Sequence, residues 1–160
     1  MKIAIIFGKE RPDTMGIYFE KALRKLGHTI EHFWPKDIKK IGQGFDFYFR
    51  VDDGYYDHLI PRKLSPRVYY VSDVHLKGPF KQIKRHINSG AYDLVFCPMR
   101  QEIKVLKKSS PVDIIWMNAG CDPEIHKRLS VERSHDIGFV GTDGGVPRKF
   151  YLQEMRERYP

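Results

Sequence analysis

The fold is decided by the stretch K-I-A-I-I-F-G at residues 2–8. This continuous apolar run is typical of a strand that is buried on both faces of a parallel sheet. A helix should follow, with Asp13 or Thr14 as its N-cap and Gly27 as its stop, and residues 29–34 predict a second strand. These elements form a βαβ unit with a right-handed crossover. The predicted inward face of the helix consists of Met15, Tyr18, Phe19, Ala22, Leu23 and Leu26.

The same alternation of strand and helix continues along the chain. It predicts an α/β, doubly wound, Rossmann-like fold with a mainly parallel sheet of six to seven strands and helices on both faces. We expect the strand order 3-2-1-4-5-6, with the seventh strand beside the sixth or displaced from it. The further predicted strands are residues 45–51, 67–71, 93–97, 112–117 and 136–140, and the further helices are residues 79–90, 101–108 and 149–159.

Length and composition limit the domain organisation. A chain of 160 residues that is 41% hydrophobic and 30% charged suits an ordinary globular domain and excludes wholesale disorder. The polar segment at residues 122–135 is the one plausible boundary. We expect residues 1–134 to form the main domain and residues 135–160 to supply the first strand and helix of a second. Two interpretations stay open: a short protein whose last helix packs back on the sheet, or the first part of a longer chain.

Targeting and metal signals are weak. No apolar run approaches the ~20 residues that span a bilayer, and the first residues do not resemble a signal peptide. Cys97 and Cys121 cannot form a disulfide scaffold, and neither they nor the histidines show metal-ligand spacing. We therefore predict a reduced, cytoplasmic setting with no metal and no cofactor. Cys97 is expected to be a buried hydrophobe, whereas Cys121 is a candidate nucleophile without an identified base.

The charge is basic, with 28 Lys and Arg against 20 Asp and Glu and a formal net charge of +8. Much of the excess lies in residues 77–108, which hold eight basic and two acidic residues. Such a stretch is most often a solvated helix face, but it could also bind a phosphate-bearing ligand, an anionic membrane or an anionic polymer such as nucleic acid. Binding of nucleic acid there would depend steeply on salt.

Candidate site residues come from the loops that follow the strands, because ligands of open parallel sheets bind beyond the carboxyl ends. Residues 8–16 match neither the dinucleotide fingerprint nor the P-loop. Asp73 and His75 are the best acid–base pair, since a carboxylate can orient a nearby imidazole and raise its pKa. The alternative is that Asp73 caps the helix near Pro79 and His75 is merely exposed. Residues 52–54, D-D-G, favour a loop turn over a cation site.

A glycine-rich turn, G-T-D-G-G-V-P-R, occupies residues 141–148 and opens the last predicted helix. Backbone N–H groups at a helix N-terminus attract anions, and Arg148 can bind phosphate oxygens in a bidentate way. The alternative is an ordinary turn with an exposed arginine.

Residues 116–122, W-M-N-A-G-C-D, resemble the N-G-V-D turn near the end of the acceptor domain of GT-B glycosyltransferases. Residues 135–141, H-D-I-G-F-V-G, with Arg148 and an apolar helix after them, resemble the opening strand of the nucleotide-sugar domain in that family. The residues of this segment are most similar to those of the spore-maturation (CgeB-like) group of these enzymes. The turn departs from the family pattern where Ala119 and Cys121 replace the usual glycine and aliphatic residue.

The resemblance implies transfer of a sugar from a nucleotide-diphosphate donor to a hydroxyl-bearing acceptor, in a cleft between two domains and without a bound metal. It implies that this chain brings the acceptor side and, by itself, is inactive. The residues fall into three groups. The catalytic pair is His75 and Asp73, the donor phosphate site is Gly141, Thr142 and Arg148, and the acceptor site is Gly8, Lys9, Arg11 and Asn118.

A second hypothesis is a non-catalytic α/β module that binds nucleic acid or another anionic partner through residues 77–108. A receiver domain is disfavoured because no acidic cluster follows the first strand. The partners expected under the first hypothesis are a nucleotide sugar and an acceptor, with no obligate nucleic acid; the oligomeric state stays open.

Overall fold

The computed structural model describes residues 1–54, 56–108, 110–132, 134–141 and 148–159. In this part of the chain, six parallel strands form one sheet. The strands are β1 (Lys2–Ile6), β2 (Thr29–Phe33), β3 (Phe47–Val51), β4 (Arg67–Tyr70), β5 (Leu94–Cys97) and β6 (Asp113–Trp116). The helices are α1 (Met15–Lys25), α2 (Lys77–Asn88), α3 (Arg100–Lys107) and α4 (Arg148–Arg158), with a 3₁₀ helix at Pro35–Lys40.

The predicted α/β class and parallel sheet are confirmed, but the predicted strand order is wrong. The observed order is β2-β1-β3-β4-β5-β6, so β3 pairs with β1 instead of lying outside β2. The reason is burial. β3 is buried along almost its whole length, whereas β2 carries the exposed Glu31 and the half-buried His32. An interior position for β2 would bury a carboxylate, and an edge position suits such a strand.

Two hydrophobic layers cover the two faces of the sheet. Alternate side chains of each strand point to opposite faces, so Tyr48 joins one layer and Phe49 joins the other. The 3₁₀ helix, α2 and α3 pack on the first face through Ile38, Ile83 and Leu106. Helix α1 packs on the second face. The buried Cys97 belongs to the first layer, as expected.

Most predicted element boundaries agree with the structure to within two residues. Helix α1 begins after Thr14, whose side chain makes no cap hydrogen bond. Helix α2 begins at Lys77 instead of Pro79, and its N-cap residue is Leu76, so Asp73 is not the N-cap. No helix among the described residues is long and apolar enough to cross a membrane.

The predicted seventh strand is wrong within the described residues, because residues 136–140 are not in a strand. The last predicted helix is present as α4. The chain divides into two compact units, Met1–Ile125 and His126–Pro160, and α4 in the second unit has no buried residue. The assignment of residues 135–160 to the start of another domain stays a prediction.

Gly16 should be intolerant of a side chain. A Cβ atom at this second residue of α1 would lie 2.2 Å from the ring of Phe7, which is completely buried. Gly16→Ala should therefore lower the free energy of unfolding by about 1–3 kcal/mol, as overpacking does. Urea unfolding measures the change.

Gly78→Ala is the matched control, because Gly78 is the second residue of α2 and a Cβ there meets nothing within 4 Å. Its free energy of unfolding should change by less than about 1 kcal/mol. Equal effects of the two substitutions would contradict the proposed close approach of α1 to Phe7.

Candidate functional site

A cleft of about 380 Å³ lies at the carboxyl edge of β1, β3 and β4. Three segments line it: the loop and first turn that connect β1 to α1, the loop after β3, and the loop after β4. The chain leaves β1 towards β2 on one side and later returns to β3 on the other. This is the topological switch point of the sheet, where open α/β folds bind their ligands.

A buried ion pair holds the floor of the cleft. The Arg50 Nη2 donates to Asp53 Oδ1 at 2.6 Å, and the two side chains are only 3% and 7% exposed. The Arg50 Nη1 also donates to the carbonyl oxygens of Ile6 at 3.1 Å and Val51 at 2.6 Å. The other Asp53 oxygen accepts a hydrogen bond from the backbone N–H of Gly8. Arg50 and Asp53 therefore connect the ends of β1 and β3 to the start of the β1–α1 loop.

Asp52 connects the loop after β3 to the loop after β4. Its Oδ2 accepts hydrogen bonds from the Ser72 N–H at 3.1 Å and the Ser72 hydroxyl at 3.0 Å. The same oxygen accepts a longer bond of 3.4 Å from the Asp73 N–H, while Oδ1 accepts one from the Gly54 N–H. This arrangement confirms that residues 52–54 form a turn, and it places the Asp52 and Asp73 carboxyl groups in the same cleft.

Burial and two charged neighbours set the electrostatics of Asp73. Burial, and next the charge of Asp52, raises the pKa of its carboxyl group, and His75 acts in the opposite direction. The same two carboxylates act with burial to raise the pKa of the Tyr56 hydroxyl, which therefore stays protonated. A carboxyl group with a raised pKa in a cleft is a functional-site candidate.

Hydrogen-bond donors face the same cleft from α1. Its first turn contributes Thr14, Met15 and Gly16 to the lining, and the exposed Arg11 lies in the loop before it. Within the described part of the chain, the backbone N–H groups of Met15 and Gly16 have no hydrogen-bond partner. The first N–H groups of a helix lack intrahelical partners and carry partial positive charge. The cleft thus combines backbone donors at the start of α1 with carboxylates from the loops after β3 and β4 and from the β1–α1 loop.

The structure brings together three of the residues predicted on the acceptor side and in the catalytic pair. Gly8, Arg11 and Asp73 line the cleft. Lys9 does not line it, because its Nζ pairs with the Glu20 carboxylate at 2.6 Å. His75 is exposed, two residues beyond Asp73, and is not part of the lining.

Asn118 lies apart from the cleft, where it lines an apolar groove beside α1. The predicted donor residues belong to the second compact unit. Gly141 is exposed, Arg148 is the first residue of α4, and Thr142 lies outside the described residues. These residues stay a prediction as a phosphate site.

Sequence reasoning missed the roles of Arg50 and Ser72. Arg50 did give a signal, because a charged residue within an otherwise apolar strand must find a buried partner. The partner lies in the D-D-G segment that directly follows the strand, at Asp53. Ser72 gave no comparable signal, since a serine after a strand is common in loops.

Within the described ranges, no three His, Cys, Asp or Glu side chains are grouped so that they could hold a metal ion. Comparison of the chain with protein-family models, with curated proteins and with solved structures finds no match.

Removal of Arg50 should destabilise the protein strongly. Arg50→Met leaves the buried Asp53 carboxylate without its cation, which should cost about 3–5 kcal/mol of unfolding free energy. Lys40→Met, which breaks the exposed pair with Asp37, should cost less than about 1 kcal/mol. Chemical denaturation compares them. The double variant Arg50→Met/Asp53→Asn should recover part of the loss, and a double variant less stable than Arg50→Met would contradict this account.

The pKa of Asp73 should respond to Asp52. Asp52→Asn removes the neighbouring negative charge, so the pKa of the Asp73 carboxyl group should fall, yet stay above its ordinary value because burial remains. Carboxyl ¹³C chemical shifts followed over pH measure it. Asp13→Asn, at an exposed position of the same cleft, should leave the Asp73 pKa unchanged. An unchanged pKa in Asp52→Asn would exclude the carboxylate pair as a cause.

Proposed function

We propose that this chain is the acceptor-binding part of a GT-B glycosyltransferase. The observation that carries the proposal is the cleft at the switch point, which Asp73 lines together with Met15 and Gly16 at the start of α1. A hydroxyl group both donates and accepts hydrogen bonds, so a polyhydroxylated acceptor matches a site that holds both backbone donors and carboxylates. The sequence resemblance of residues 116–148 to that family supports the same conclusion.

The charge of the cleft favours an acceptor over a phosphate-bearing donor. The Arg50 guanidinium is bound to Asp53, while Asp52 and Asp73 add two further carboxyl groups. Carboxylates repel a diphosphate at short range in a partly desolvated cleft. A sugar hydroxyl, by contrast, donates to a carboxylate in a charge-assisted hydrogen bond.

The chemistry assigned to Asp73 is general-base catalysis. Its carboxylate takes the proton of the acceptor hydroxyl as the oxygen forms a bond to the anomeric carbon of the donor sugar. The bond between that carbon and the diphosphate breaks, and the diphosphate leaves with the electron pair. The raised pKa suits a base of this kind, because efficient proton transfer needs a pKa nearer to the working pH. His75 lies two residues beyond Asp73, outside the lining of the cleft, and its assignment to the acceptor or the reacting sugar rests on the family resemblance.

The donor side is assigned to Gly141, Thr142 and Arg148, as the family resemblance implies. Arg148 begins α4, and a helix N-terminus with an arginine stabilises a leaving diphosphate. Because these residues are a small part of such a donor site, the 160-residue chain should bind nucleotide sugars more weakly than micromolar.

A second candidate function is binding of an anionic partner without catalysis, and the exposed charge of α2 and α3 favours it. These exposed basic residues are Lys77, Lys81, Arg85, Arg100, Lys104, Lys107 and Lys108. Salt titration of binding to duplex DNA, beside calorimetry with uridine and guanosine diphosphate, separates the two candidates. Steeply salt-dependent DNA binding supports the second, whereas micromolar binding of either diphosphate contradicts the proposed division of the donor site.

Turnover tests the catalytic assignment in a protein that joins this chain to a complete nucleotide-sugar domain. Asp73→Asn and His75→Ala should each lower kcat by roughly a hundredfold or more. Asp113→Asn, at an exposed aspartate that begins β6, should leave kcat unchanged.

Folding provides the control for these variants. The pKa of Asp73 is raised in the folded protein, so its ionisation opposes folding as the pH rises above the ordinary value for aspartate. The free energy of unfolding of Asp73→Asn, relative to that of the parent protein, should therefore be higher at pH 7 than at pH 3.

Near-normal turnover in a folded Asp73→Asn protein would remove Asp73 from the mechanism, and the same result for His75→Ala would remove His75.

A further inference from the structure

A second, apolar groove lies on α1 beside the cleft. It has a volume of about 210 Å³. One wall is the face of α1 formed by Met15, Tyr18, Phe19 and Ala22, and the other is the chain that follows β6, with Asn118, Gly120 and Cys121. Periodicity predicted that this helix face is buried, yet Met15, Tyr18 and Phe19 are half-buried and Ala22 is exposed. The groove is therefore where the apolar face of α1 is incompletely covered.

Ion pairs hold the outer wall in place. Lys21 on α1 binds the buried Asp122 carboxylate at 2.9 Å, and Lys25 binds Glu124. The hydrogen bond from Lys21 holds the pKa of Asp122 below its ordinary value. The other Asp122 oxygen accepts the N–H of Glu124, which completes a turn directly after Cys121. The fold itself maintains the groove, because these ion pairs connect its two walls directly beside it.

The groove and the cleft adjoin along α1, because Met15 lines both. One is polar, with carboxylates and helix N–H groups, and the other is bounded mainly by apolar side chains. A ligand that occupied both would pass over Met15 with its polar part towards Asp73 and its apolar part towards Phe19. An apolar cavity of about 150 Å³ is large enough to hold benzene. The groove therefore accommodates an aryl group or a short alkyl chain.

We propose that the acceptor is amphipathic: its hydroxylated part occupies the cleft, and an aryl or short alkyl group attached to it occupies the groove between α1 and residues 118–121. This inference rests on the proposed function, because it names the class of acceptor for the same site. The shared lining residue Met15 brings both spaces within reach of one joined ligand.

Cys121 provides the reporter for the test. It is an exposed thiol in the wall of the groove, whereas Cys97 is completely buried. Burial also raises the pKa of the Cys97 thiol, which lowers its reactivity further. A disulfide reagent that releases a coloured thiolate therefore reports the accessibility of Cys121 in the folded chain. The probes are phenyl β-glucoside, methyl β-glucoside and phenol at equal concentrations.

Phenyl β-glucoside should slow the reaction of Cys121 at least fivefold, phenol should slow it less, and methyl β-glucoside should leave it within twofold of the free rate. Asp73→Asn should raise the concentration of phenyl β-glucoside needed for half-protection about tenfold, the effect of a lost charge-assisted hydrogen bond, without changing that of phenol. Equal protection by the two glucosides, absence of protection by phenyl β-glucoside, or an unchanged half-protection concentration in Asp73→Asn would overturn the inference.

A variant that fills the groove gives an independent measurement. Ala22→Trp should abolish protection by phenyl β-glucoside and by phenol. Leu26→Trp, at the exposed C-cap position directly after α1 and outside the groove, should preserve both. Unchanged protection in a folded Ala22→Trp protein would overturn the inference.

Turnover distinguishes this inference from the proposed function. In the protein joined to a nucleotide-sugar domain, Ala22→Trp should raise KM for aryl acceptors while kcat remains, whereas Asp73→Asn lowers kcat. An unchanged KM in Ala22→Trp together with loss of turnover in Asp73→Asn would overturn the amphipathic acceptor and leave the glycosyltransferase standing. Normal turnover in Asp73→Asn contradicts the proposed function instead.

Discussion

The buried ion pair between Arg50 and Asp53 is the interaction on which the candidate site depends. A guanidinium buried within a sheet is costly unless its donors are satisfied, and here they reach Asp53 and the carbonyl groups that end β1 and β3. Asp53 in turn holds the N–H of Gly8. The requirement to pair one buried charge thus aligns two neighbouring strands and sets where the β1–α1 loop leaves the sheet. The cleft is the space that this loop and the following helix leave open.

The polar groups above that ion pair are arranged by short local bonds. Asp52 binds the backbone and side chain of Ser72, so the loops after β3 and β4 stay together and the Asp73 carboxyl group lies near a second carboxylate. Negative charge is concentrated in this cleft although the whole chain carries a net charge of +8. The excess positive charge lies largely on the exposed surfaces of α2 and α3. This separation supports the proposal that the cleft takes a hydroxylated acceptor and not a phosphate.

Helix α1 connects the polar and apolar parts of the proposed ligand site. Its Gly16 allows the helix to approach the Phe7 ring closely, which brings the first turn against the end of β1. Its opposite flank is tied to the chain after β6 through Lys21 and Asp122. Because Met15 faces both spaces, the position of a single helix determines the width of the cleft and of the groove.

The sequence alone determined the α/β class, the six observed strands, and the helices to within two residues at most boundaries. These features depend on hydrophobic periodicity and on glycine and proline signals, which act over a few residues.

Tertiary structure decided the strand order. β3 lies inside the sheet because most of its side chains are buried, whereas β2 forms the edge because it carries an exposed carboxylate. It also decided that residues 136–140, although they include Ile137, Phe139 and Val140, are not in a strand, because a strand needs a hydrogen-bonded neighbour as well as a pattern. Of the predicted site residues, Gly8, Arg11 and Asp73 meet at the cleft, whereas Lys9 pairs with Glu20 and Asn118 lies at the groove. Side-chain partners such as Arg50 with Ile6, or Asp52 with Ser72, lie 44 and 20 residues apart, so only the closure of the sheet brings them within hydrogen-bond distance.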